Sequence, residues 1–191
     1  NSDKADDYLS DFAQLMRMIL ESSHNKFIPV SHEIKLLTLY IGLEQIRFNN
    51  KFDFEINVGK DVNPEFNIPP MLTQPFIENA INHGLNNLAE RKGKLELTIK
   101  MLEKDVLSFI TEDNGIGRIK SSTRVKSHKS RGTQIVKERV DTLNETNYFN
   151  VKIETSDLSE GVPDSGTQVV ITFHDMNTFL NRNNGIQSSN N

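Results

Sequence analysis

Hydrophobic positions in the first fifty residues recur at helical spacing. From about Lys4 to Ser22, the residues Leu9, Phe12, Leu15, Met16, Ile19 and Leu20 form one stripe. Ser22-Ser23-His24-Asn25 breaks the pattern and Pro29 closes the break. Ser31 then offers an N-cap to a second helix bearing Ile34, Leu37, Ile41, Gly42, Gln45 and Phe48. Two amphipathic helices on a short connection are expected to pack on each other or on a partner. The period then changes to two: Phe52, Phe54, Ile56 and Val58 fall on one face and Asp53, Glu55 and Asn57 on the other, which predicts a half-buried strand.

Pro64 to Pro70 reads as a stiff connection delivering the chain to a helix from about Pro70 to His83. That helix turns Leu72, Phe76, Ile77, Ala80 and Ile81 inward and is stopped by Gly84. Strands are expected at Lys94–Met101 and Val106–Thr111, joined near Glu103-Lys104-Asp105. A helix over Gly132 to about Asn144 follows, then strands near Asn150–Thr155 and Gln168–Phe173 with a polar loop from Ser156 to Ser165. Helices and strands mix without regular βαβ alternation. The expected class is therefore an α/β (α+β) two-layer sandwich with a mixed, mostly antiparallel sheet and an N-terminal helical segment.

A chain of 191 residues allows one ordinary domain plus a small appendage. Eleven Phe and no Trp supply its large apolar side chains, and the absence of Cys rules out disulfides and thiolate metal sites and favours a reducing compartment. No apolar run approaches the roughly 20 residues of a membrane-spanning helix, and Asn1 to Asp7 do not resemble a signal peptide. The net charge of −4 argues against nucleic acid as a partner. Its distribution matters more. Arg118, Lys120, Arg124, Lys126, Lys129 and Arg131 lie together, no Asp or Glu occurs from Asn114 through Lys137, and without those six cations the rest stands at −10. Such a segment is placed either to meet an anion or to be a solvated loop.

Four places carry candidate chemistry. Asn79 and His83 stand four apart on one helix face, with Asn82 beside them and Glu78 next to it. A neutral amide oxygen suits Mg²⁺, although Asn79 bridging backbone and His83 as a half-buried ring is the structural alternative. In Asp113-Asn114-Gly115-Ile116-Gly117, a carboxylate at a strand end can accept from an exocyclic amine such as that of adenine, while glycines let backbone close over the ring. Asn-Gly is equally a hairpin-turn signal. Gly132-Thr133 opens a helix whose free N–H groups suit phosphate, or is a plain cap. Ser165-Gly166-Thr167 precedes the last strand and can be a simple turn.

In that order and spacing, these motifs resemble the ATP-binding fold shared by gyrase, a heat-shock chaperone, histidine kinases and mismatch-repair ATPases (the GHKL superfamily). Gln74-Pro75-Phe76-Ile77-Glu78-Asn79-Ala80-Ile81-Asn82-His83-Gly84 and Leu43-Glu44-Gln45-Ile46-Arg47-Phe48 resemble sensor histidine kinases of the LytS/YehU type, over about Ala5 to Phe173. The resemblance implies that Asn79 holds Mg²⁺ on the phosphates of ATP, Asp113 binds the adenine amine, and Gly115 and Gly117 shape the base pocket. It makes Glu78 a base toward a substrate His, lines the cleft with Asn82 and His83, faces Lys129, Arg131, Gly132 and Thr133 to the phosphates, and sets Thr167 behind the adenine. Residues 118–131 become a mobile lid.

The implied divisions are 1–49, the end of a dimerisation and phosphoacceptor region; 50–175, the ATP-binding domain; and 176–191, a polar tail. The implied partners are an upstream phosphoacceptor helix, a response regulator and a second copy of the chain, in the cytoplasmic part of a membrane-anchored bacterial sensor. Relatives often have Lys where Asn82 stands, Gly-x-Gly where Ser130-Arg131-Gly132 stands, and, in the gyrase-like branch, a water-activating Glu at Pro75. The family's phosphoacceptor motif, Pro-His-Phe-Leu-Phe-Asn, does not occur. An ATP-hydrolysing switch and a non-catalytic interaction module remain the alternatives.

Overall fold

A computed structural model describes residues 2–89, 91–117, 131–146, 149–159 and 165–176. The segment 118–130 and the tail from 177 lie outside the described residues. The chain runs α1 (Ser2–Ser23), β1 (Ile28–Pro29), α2 (Val30–Arg47), β2 (Phe52–Val58), β3 (Asn67–Ile68), α3 (Gln74–Asn79), a π-helical turn (Ala80–Leu85), β4 (Gly93–Glu103), β5 (Val106–Asp113), α4 (Arg131–Glu145), β6 (Phe149–Asp157) and β7 (Thr167–Asp175).

Five strands form one sheet in the order β2-β4-β5-β7-β6, and β1 and β3 pair separately. Only β2 and β4 run parallel, a connection that needs a long crossover, here the segment bearing α3. The mixed, mostly antiparallel sheet expected from the pattern is the one observed. Alternate residues of its strands point into the core: Leu95, Leu97 and Ile99 from β4, Phe109 from β5, and Val169, Ile171 and Phe173 from β7. Phe109 and Phe173 meet edge to face, with centroids 5.7 Å apart. Fully burying one such ring is worth about 1.5–3 kcal/mol.

Leu36, Leu37 and Ile41 of α2 share this core with the sheet. Helix α1 packs on α2 and adds Leu15 and Met18 to the same core. The stripe read from Leu9 to Leu20 therefore divides: Leu9, Phe12, Met16 and Leu20 stay exposed on the far side.

Two helix starts differ from expectation. Ser31 lies inside α2, and Pro29 takes the cap position without a side-chain hydrogen bond. Carbonyls satisfy the first amides instead: Val30 N–H donates to Phe66 O at 2.8 Å and Ser31 N–H to Pro64 O at 3.1 Å. The third helix begins at Gln74, not Pro70, because Met71 has φ +59, outside helical space. Gly84 does not stop that helix; it lies within the π turn that continues it.

Candidate functional site

The C-terminal end of β5 meets the π turn and the start of β7 at one carboxylate. Asp113 is buried, 4% exposed, in register with Thr167 on β7. Gly115 N–H donates to its Oδ1 at 2.8 Å, and the Thr167 amide also donates to the carboxylate. Burial pushes the carboxyl up from its ordinary 3.8 to about 6; the two amides and nearby Arg91 oppose the rise, and Asp157 adds to it.

Glycines make this packing possible. A Cβ on Gly84 would lie 2.6 Å from Asp113 Oδ1, and one on Gly115 would lie 2.5 Å from the Gly84 backbone. Ile116 N–H donates to Gly84 O at 3.3 Å, so the chain after Asp113 turns onto the π turn and does not form the hairpin that Asn-Gly alone allows. Asn114 closes the other side, its Oδ1 accepting from Lys94 N–H at 2.7 Å. The sequence motifs at Gly84, Asp113–Gly117 and Ser165–Thr167 thus converge around one carboxylate, that of Asp113.

π-Helical segments occur mostly as single turns and frequently at functional sites. Asn79 ends α3 just before this one and is half-buried, and its side-chain amide takes no hydrogen-bond partner among the described residues. The backbone-bridging alternative is therefore not what the structure shows. His83 is exposed, not half-buried. Asn82 is engaged: Arg47 Nη2 of α2 donates to its Oδ1 at 3.1 Å. Arg47 also pairs with Glu44 and lies over the Phe48 ring.

Glu78 is exposed on α3 and its charge acts on Tyr40 and Glu44 of α2. Both of those groups are raised, first by burial. Gly132 and Thr133 occupy the first turn of α4, which packs on α3. Lys129 and the Arg131 side chain lie outside the described residues, as does most of the segment 118–131.

Several participants had no local signal. Gly84 reads as a helix stop, yet its missing side chain is what admits Asp113. Arg91 donates to Asn114 O and, at 3.5 Å, to Gly115 O, which fixes the glycine turn. A single Arg in a charged run carries no spacing that could reveal this.

The family model described as Histidine kinase matches residues 1–52. The sensor histidine kinase/phosphatase LytS of Staphylococcus aureus is 29% identical over 143 residues, covering 71% of this chain and 24% of LytS. An uncharacterized protein of Bacillus subtilis, YwpD, is 29% identical over 116 residues, covering 60% of this chain and 41% of YwpD. The chain thus spans well under half the length of either relative. Among solved structures, the histidine kinase domain of a blue-light activated histidine kinase from Erythrobacter litoralis superposes with TM-score 0.55 at 16% identity, over 89% of this chain and 75% of that one. In sequence this chain is similar to the sensor histidine kinase/phosphatase LytS, and its fold is similar to that of the histidine kinase domain from Erythrobacter litoralis.

Proposed function

We propose that this chain is the ATP·Mg²⁺-binding catalytic part of a two-component sensor histidine kinase. It would transfer the γ-phosphoryl group of ATP to a histidine upstream, for relay to a response regulator. The observation that carries this is Asp113: a buried carboxylate at a strand end, held by two backbone amides, with Gly84, Gly115 and Gly166 packed closely around it. A carboxylate has about four lone-pair sites. Two amides leave capacity for the amine of adenine.

Asn79 fits a magnesium ion that arrives with its phosphates, since a free amide oxygen suits a hard cation that takes few protein ligands. When bound, the ion neutralises phosphate charge. The first-turn amides of α4 at Gly132 and Thr133, with the cations of 118–131, would meet the phosphates. Gly117 and Thr167 border the base, and Asn82 and His83 line the cleft. Glu78 is exposed beside Asn79, where it can take the proton of an incoming imidazole. Positioning and charge do most of the work in such a transfer.

The division into a helical region, 1–49, and an ATP-binding part, 50–175, belongs to this proposal, although α2 shares the core with the sheet. So do a second copy meeting the exposed Leu9, Phe12, Met16 and Leu20 face, and a place in the cytoplasmic portion of a membrane-anchored bacterial sensor. Pro75, in the first turn of α3, offers no group to activate water, which disfavours an autonomous ATP-hydrolysing switch.

Calorimetry tests the proposal. ATP should bind with Mg²⁺ and more weakly without it, and Asn79→Ala should remove about tenfold of the Mg²⁺-dependent affinity. Absence of ATP binding at any magnesium concentration would refute it.

A pH titration adds an independent check. An amine donates more strongly to the ionised carboxylate than to the protonated one, so binding favours proton release from Asp113. ATP affinity should be level above pH 7 and fall about tenfold by pH 5, because the free carboxyl titrates near 6. Affinity that rises on acidification would count against adenine recognition by this group.

A further inference from the structure

The peptide between Pro70 and Met71, which leads into α3, is gripped at both polar atoms by charged side chains from two other helices. Its carbonyl accepts from Arg139 Nη1 of α4 at 2.7 Å. Its amide donates to Glu33 Oε2 of α2 at 3.2 Å. Glu33 is fully buried and Arg139 partly so. Burial drives Glu33 up to about 7 and Arg139 down, and each charge restrains the other's shift. Glu33 Oε1 has no hydrogen-bond partner among the described residues.

Stability alone is a weak reason for this arrangement, because burying ionisable groups carries a desolvation cost that well-packed apolar residues avoid. The gripped peptide is itself strained. Met71 has φ +59, a left-handed conformation that costs a non-glycine residue about 1 kcal/mol or more and persists only where the surroundings impose it.

The geometry points to Glu33 and Arg139 as positioning residues for the phosphate half of the nucleotide site, fixing α3 with Asn79 against α4 with Gly132 and Thr133. This rests on the nucleotide site proposed above. Seven residues separate Gly132 from Arg139, two helical turns, so the gripping side chain stems from the same face of α4 as the first-turn glycine. Helix α3 packs directly on α4. The adenine half is built otherwise: Asp113, Gly84, Gly115 and Gly166 are packed through their own backbones, and among the described residues the hydrogen bonds of Glu33 and Arg139 go to Met71 and Pro70. Loosening the clamp should therefore shift Asn79 relative to α4 and leave base recognition in place.

The test compares Mg²⁺-ATP with adenosine on this 191-residue chain, by calorimetry and thermal melting. Glu33→Leu and Arg139→Met should each lose about tenfold in Mg²⁺-ATP affinity and less than about twofold for adenosine, as when a support behind a ligand is removed. Glu33→Gln keeps an acceptor for the Met71 amide and should restore Mg²⁺-ATP affinity to within about threefold of the unmodified chain. Equal losses for both ligands, or no loss, overturn the assignment. Should Glu33→Leu fail to fold, Arg139→Met carries the same expectation, and failure of both to fold marks a purely structural role. An unmodified chain that binds neither ligand removes the nucleotide site itself. Binding of both, with ratios unchanged in the variants, removes only the clamp.

Discussion

Gly166→Ala is expected to destabilise the chain by about 3 kcal/mol or more, lowering its melting temperature by roughly 10 °C. Two costs combine. Gly166 has φ +82, a conformation L side chains rarely adopt. A Cβ there would also lie 1.9 Å from the Asp113 carbonyl oxygen and 2.9 Å from Asn114 Cα, both backbone atoms with no rotamer to retreat to. Relief requires β5 and β7 to part where Asp113 pairs with Thr167, so adenine recognition should fail together with stability. Gly42→Ala supplies the contrast. Gly42 lies within α2 with nothing within 4 Å of the added atom, and the change should stabilise by about 0.5–1 kcal/mol through helix propensity. Thermal melts of the two variants should move in opposite directions; a Gly166→Ala melt within a degree or two of the unmodified chain would contradict the pocket geometry.

The contrast shows which parts of this molecule its sequence discloses. Phe52–Val58 is an edge strand with the expected bounds, and its period of two holds through Ile56; at its end Asn57 is half-buried and Val58 is exposed. The inward set Leu72, Phe76, Ile77, Ala80 and Ile81 is buried throughout, because apolar spacing reports burial whether or not the helix is regular. The start of α3 escaped local logic for an identifiable reason. Pro69-Pro70 would suit a helix N-terminus, but Met71 is left-handed, with its amide donating to Glu33, 38 residues away, and the Pro70 carbonyl accepting from Arg139, 69 residues away. Contacts of that separation leave no periodic trace. The site divides along the same line: Asp113, Gly115 and Gly117 are adjacent in sequence and were readable as a motif, whereas Gly84 and Arg91 join them only by folding.

Asp113→Asn should abolish most ATP binding while making the protein more stable near neutral pH. The substitution is nearly isosteric, but it leaves one oxygen to accept from both the Gly115 and the Thr167 amides. It replaces the other oxygen with an NH₂ that opposes the adenine amine donor to donor. A site built on that hydrogen bond should lose at least about a hundredfold in affinity, and the ratio of guanine to adenine nucleotide affinity should rise, because a keto oxygen now finds a donor.

The stability sign follows from the raised carboxyl. Its folded value, about 6, stands above the unfolded 3.8, so its contribution is complete below pH 3.8 and is lost as pH rises through 6. At pH 7.5 the buried charge costs on the order of 2–3 kcal/mol relative to the neutral group. The amide escapes that cost, so the Asn variant should melt roughly 5–10 °C higher at pH 7.5, with the advantage vanishing toward pH 4. A lower melt at pH 7.5 with ATP affinity intact would overturn both halves together. A carboxylate in a buried place where its own amide is expected to fold better answers to something other than folding, and an amine donor, which the ionised form accepts more strongly, is the partner its chemistry fits.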